Sequence, residues 1–169
     1  MIATEKDEHM RTERLGVFGV AALLSGACFL SGCMSYGPPP PTVAYVDIER
    51  YMGLWHEIAS NPVFFNEDLV GVTAEYTLRD DGTVRVVNRG HVGTLDGPEE
   101  SIEGTARVVD TETNSKLAVS FFPLLGRLTE GKYWIVVLDD ENYQYAAVTD
   151  NRQNTLFILY REPAMPREL

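Results

Sequence analysis

Cysteine is nearly absent: the 169-residue chain has two, Cys28 and Cys33, both near the N-terminus. No disulfide can therefore staple whatever folds downstream, and that fold must be held by packing. Histidine is as scarce, and His9, His56 and His91 are too far apart for the short ligand spacings of a zinc site. Positive charge is also short, with Lys+Arg 14 against Asp+Glu 25 and a net charge of -11. That balance excludes the concentrated basic surface needed to bind nucleic acid. It also means that membrane attachment calls for a covalent lipid or an apolar segment. A glycine-rich phosphate loop and a G-x-S-x-G elbow are missing, and neither His56 nor His91 lies in a triad motif. The residues point away from an enzyme and call for no cofactor.

No apolar run reaches the roughly 18 to 20 residues that a membrane-spanning helix needs. The longest, Leu15 to Leu30, is interrupted by Gly16, Gly19 and Gly26, preceded by Arg11 and Arg14, and followed by Ser31-Gly32-Cys33. A positive n-region, a short apolar h-region and a small-residue cleavage site make a signal peptide, expected over residues 1–32. Leu30-Ser31-Gly32-Cys33 resembles the bacterial lipobox, which implies that Cys33 takes a diacylglycerol on sulfur and an acyl group, such as palmitate, on nitrogen. With Met34 rather than Asp in the next position, the resemblance implies the outer membrane, with the folded part on its periplasmic side. The leading MIATEKDEH is unusual for an n-region, so translation is expected to start at Met10. Residues 33–47, with Pro38 to Pro41 favouring extended polyproline, are expected to be a tether with no core to join. The folded domain is expected over residues 48–169.

That domain reads as all-β. Val72, Ala74, Tyr76 and Leu78 alternate with Thr73, Glu75 and Thr77, as on a strand with one dry and one wet face. Asp80-Asp81-Gly82 then marks a hairpin into Val84, Val86 and Asn88 on one face, with Arg85 and Arg89 on the other. Including WHEIAS, SIEGTARVV, KLAVSFF, KYWIVVL, YQYAAVT and TLFILYR, eight strands are expected. An up-and-down barrel and a β-sandwich both accommodate eight strands, and alternation alone does not separate them.

Tyr51-Met52-Gly53-Leu54-Trp55-His56-Glu57-Ile58-Ala59 resembles the G-x-W motif that opens the lipocalin barrel. EYTLRDDGTVRVVNRG, LAVSFF, YWIVVLD, YAAVTD and ILYRE are similar, in order and spacing, to the bacterial outer-membrane lipoprotein branch of that family. The resemblance covers roughly residues 48 to 162. It implies an eight-stranded antiparallel barrel in which Gly53 and Trp55 close one end and Arg161 crosses over the tryptophan. The Thr149-Asp150 pair matches the family's second motif without its following aromatic. The family's C-terminal helix is missing or truncated after REPAMPREL, which would leave an apolar outer face and room for a homodimer.

A barrel of this type implies a lipid ligand, a fatty acid or lysophospholipid, that is stored or transported in the cell envelope. The alternatives are a structural envelope lipoprotein with a filled core, or a lipocalin-type enzyme. By alternation the inward set is Val72, Ala74, Tyr76, Val84, Val86, Ala106, Leu117, Val119, Phe121, Tyr133, Ile135, Val137 and Tyr145. The expected lipid contacts are Tyr76, Val86, Asn88, Phe121, Tyr133, Ile135 and Tyr145, with Phe64 and Phe65 as a lid from the first loop. Glu57 shares a face with Trp55, and Arg161 is a candidate partner for its carboxylate.

The anchor reading is directly testable. The Cys33→Ser variant is expected to take up no radiolabelled palmitate and to move from the membrane to the soluble fraction, whereas unchanged labelling would place the acyl chain elsewhere.

Overall fold

The computed structural model describes residues 37–61, 66, 68–122 and 130–169. Eight antiparallel strands run β1 (Gly53–Ser60), β2 (Leu69–Leu78), β3 (Val84–Val92), β4 (Glu99–Val108), β5 (Lys116–Ser120), β6 (Gly131–Leu138), β7 (Tyr145–Thr149) and β8 (Leu156–Tyr160). Each pairs with the next in sequence, and β8 returns to β1 to close the barrel. Closure decides between barrel and sandwich: none of these eight strands is left at an unpaired edge. The β2–β3 hairpin turns through Asp80, Asp81 and Gly82, where the Asp81 carboxylate accepts from the Thr83 amide at 2.9 Å. Arg85 and Arg89 lie on the wet face as expected, paired across strands with Glu103 and Glu75.

Before the barrel stands one helical turn, α1 (Ile48–Tyr51), started by the Asp47 carboxylate, which accepts from the amides of Glu49 and Arg50. Asp47 is a good N-cap because its oxygen satisfies donors that the first turn leaves free. Gly53 then turns the chain into β1 at a φ of +95°, a region that favours glycine, and a Cβ there would sit 3.4 Å from the Arg161 guanidinium. The glycine of the G-x-W motif therefore both makes the corner and leaves room for the arginine.

The segment just before α1, expected to belong to the tether, packs into the fold. The Val46 side chain is fully buried, its amide donates to Thr113 O and the Val43 amide donates to Ile135 O. Thr42 and Asn114 add hydrogen bonds to Ser115 and to Val46 O. An apolar Val46 fills the end of the barrel that the strands alone leave open, so the packed domain begins near Thr42. The prolines remain outside regular structure, and Pro38, Pro39 and Pro41 are exposed.

Val46, Tyr51, Trp55 and Tyr143 thus plug one end of the barrel, packed with Val84, Ala106, Leu117, Ile135 and Val148. Trp55 is fully buried and donates through Nε1 to Tyr51 O at 2.9 Å. The Arg161 guanidinium lies 3.8 Å from the Trp55 ring centre and donates to the carbonyls of Leu54, Arg50, Tyr51 and Tyr143. After β8, residues 161–169 form bends and turns.

Simple alternation fails where β-bulges or left-handed residues reset it. Val137 was expected inward but is 46% exposed, because a register shift between Ile135 and Val137 inserts an extra residue in β6. Tyr145 was likewise expected inward, yet in β7 it is Ala146 and Val148 that join the core. The cause is Tyr143, whose φ of +57° puts its own ring into the closed end and reverses the parity of the residues after it.

Removing the guanidinium should show how much this end matters. Arg161→Ala is expected to destabilise the barrel by about 2–4 kcal/mol, from lost carbonyl partners and cation–π contact. Arg161→Lys should recover little, since an ammonium cannot fork across four carbonyls. Urea unfolding of both variants measures this, and near-wild-type midpoints would contradict it.

Candidate functional site

Among the described residues the other end of the barrel is open and leads into a cavity of about 740 Å³. Its wall is set by inward residues of β2, β3, β5 and β8, among them Val72, Ala74, Val86, Val119, Phe157 and Leu159. Phe121 also lines it and lies over Gly104, where a Cβ would come within 2.7 Å of the ring. Glycine at that position is what lets the phenylalanine fold over the wall. Phe122, Glu130, Lys132 and the β7–β8 turn from Asp150 to Thr155 frame the mouth. That turn is organised by the Asp150 carboxylate, which accepts from the amides of Arg152, Asn154 and Thr155. Arg107 grips Glu130 in a two-point ion pair at 3.0 and 2.7 Å, whereas Lys132 is exposed.

The deep part of the cavity is polar. Tyr76 from β2 and Tyr133 from β6 meet with hydroxyls 3.0 Å apart, and Tyr133 also contacts the hydroxyl of Tyr51 at 2.9 Å. The Tyr51 ring packs 5.0 Å from Trp55 and 5.8 Å from Tyr76, so the floor of the cavity rests on the plug below. Burial is the main cause that pushes the three phenols up, Tyr76 to about 12 and Tyr51 and Tyr133 well above the ordinary tyrosine value.

Glu57 does face the cavity, but its partner is not Arg161. A register shift between Glu57 and Ala59 turns Ser60 onto the same side, and the carboxylate accepts from Ser60 Oγ at 2.5 Å and Asn66 Nδ2 at 3.1 Å. Arg161 is committed to the carbonyls of the closed end.

Of the residues expected to contact a ligand, Tyr76, Val86, Asn88, Phe121 and Tyr133 line the cavity. Ile135 is wholly buried in the plug beneath, and Tyr145 lies off the inner face. Phe64, Phe65 and Cys33 fall outside the described residues, and Gly53, Trp55 and Arg161 gather at the closed end. Sequence reasoning missed Tyr51 because it precedes the first strand. The signal was the Asp47 cap, which marks a turn that aims Tyr51 back into the barrel.

A family model described as a lipocalin-like domain matches residues 46–169. The chain is 35% identical over 146 residues to the outer membrane lipoprotein Blc of Vibrio cholerae, covering 86% of this chain and 82% of that one. It is 33% identical over 159 residues to apolipoprotein D of Bos taurus, covering 90% and 77%. Among solved structures, insecticyanin from the tobacco hornworm Manduca sexta superposes with a TM-score of 0.58 at 19% identity, over 79% of this chain and 72% of that one. At that identity the likeness concerns the fold.

The raised phenols carry a signed pH prediction. The unfolded chain ionises tyrosine near pH 10, while folded Tyr76 holds its proton to about pH 12 and Tyr51 and Tyr133 are likewise raised well above their ordinary value. Their contribution to stability is complete below pH 10 and is lost as pH rises from there towards 12. A phenolate absorbance titration at about pH 11 should leave at least three of the eight tyrosines un-ionised in the folded protein. Eight phenols titrating together near pH 10 would contradict the buried trio.

Proposed function

The chain belongs to the lipocalin family, and from that premise we propose that it is an outer-membrane lipoprotein, anchored through acylated Cys33, whose barrel holds a fatty acid or lysophospholipid tail-first. The observation that carries this reading is a cavity of about 740 Å³ with a largely apolar wall, closed at one end and, among the described residues, open at the other. Cavities of this size suit one small ligand. An acyl chain suits the wall, since each buried methylene contributes about 0.8 kcal/mol. The head group then sits at the mouth, among the polar groups of the β7–β8 turn. Glu57, already held by Ser60 and Asn66, disfavours a second carboxylate deep inside and so supports the same orientation.

The relatives named outer membrane lipoprotein support the address, and the lipobox supports the attachment. Storage or transport of the lipid is the role this reading assigns. Self-association, if it uses the outer face, would involve Val137 of β6 and Leu156 of β8, both exposed there.

Mass spectrometry under non-denaturing conditions on protein from a bacterial host should find a fatty acid or lysophospholipid bound. Ala74→Trp, which fills the cavity wall, should reduce displacement of a fluorescent fatty acid by roughly ten-fold or more, about 1.4 kcal/mol. A bare mass together with no displacement would favour a filled structural barrel. Tryptophan emission is a poor reporter here, because Trp55 lies in the plug and Trp134 beside Lys116.

A further inference from the structure

The hydroxyls at the cavity floor do not balance. Tyr51, Tyr76 and Tyr133 bring three O–H groups and share two hydrogen bonds, both at Tyr133. A phenol hydrogen donates once, so one is left over. Among the described residues, neither a carbonyl nor a carboxylate takes it. Three arrangements are available. In one, the spare hydrogen sits on Tyr51, which is buried behind the floor and does not line the cavity. That leaves a buried donor unpaired and is the costly choice. In the other two it sits on Tyr76 or Tyr133, and both of these line the cavity. The floor therefore presents an O–H to whatever occupies the barrel, and desolvation keeps these phenols protonated.

The charge around the floor decides which acceptor fits. Glu57 lies on the wall of the same cavity, and its negative charge is felt at Tyr76. A carboxylate at the floor would be both desolvated and repelled. An uncharged oxygen meets neither penalty. A purely hydrocarbon chain end meets a different one, because it displaces solvent from the spare hydroxyl and returns no acceptor.

We propose that the preferred occupant of this cavity is a single-chain lipid carrying an uncharged oxygen, a hydroxyl or ketone, at or near the buried end of its chain, received by the hydroxyls of Tyr76 and Tyr133. This rests on the tail-first reading above and narrows it: the site selects oxygenated acyl chains over plain ones of equal length.

The test uses the full chain carrying Cys33→Ser and displacement of a fluorescent fatty acid by stearic acid, ω-hydroxystearic acid and (ω-1)-oxostearic acid, whose ketone lies one carbon from the chain end. The oxygenated acids are expected to bind about ten-fold tighter than stearic acid, the difference made by one satisfied buried donor. In the double variant Tyr76→Phe/Tyr133→Phe that preference should vanish while stearic acid binds at least as tightly as before, which also shows that the barrel is folded. Equal or weaker binding of the oxygenated acids in the unsubstituted cavity overturns the proposal on its own, as does a preference that survives in the folded double variant. Tight binding of stearic acid with no preference sinks only this inference. Binding of none of the three overturns the tail-first reading with it.

Discussion

Closing one end of an eight-stranded barrel leaves backbone carbonyls with no partner strand, and in this protein a single guanidinium takes four of them. Arg161 reaches Leu54, Arg50, Tyr51 and Tyr143 from above the Trp55 ring, tying α1, β1 and the β6–β7 turn to the end of β8. Only a planar, forked cation can serve that many acceptors while stacking on an indole. Because the Tyr51 carbonyl is one of those acceptors, the same clamp sets where the Tyr51 ring lies. The floor of the cavity is built on that ring.

The closed and open ends therefore have different chemistries for one structural reason. Below the tyrosines the interior is filled by tryptophan, isoleucine and valine at close packing. Above them the inward residues are shorter, Ala74 and Gly131 among them, and the same eight strands enclose space instead of side chains. The boundary between core and cavity is the height at which Tyr76 and Tyr133 meet across the barrel.

Much of this was legible before the fold was known. Runs of β-branched and aromatic residues between turn signals located all eight strands, and in β2 and β3 the alternation of dry and wet residues sorted the faces as well. The corner at Gly53 and the pairing of Trp55 with Arg161 came from family resemblance, and the geometry supplies their reasons. What alternation could not register was any residue that changes parity. The bulge in β6 turned Val137 outward, the left-handed Tyr143 displaced Tyr145, and the bulge in β1 brought Ser60 to Glu57. The tyrosine trio was illegible for a further reason: Tyr51 and Tyr76 lie 82 and 57 residues before Tyr133 and meet it only on closure.

The packing of Val43 and Val46 has a mechanical consequence. The chain enters the barrel at its base, held by hydrogen bonds to Ile135 O and Thr113 O, at the pole opposite the mouth. A pull on the upstream segment is therefore delivered to the plug and the clamp beneath it. The mouth lies at the opposite pole, so load that enters along the upstream chain meets the plug before it meets the rim.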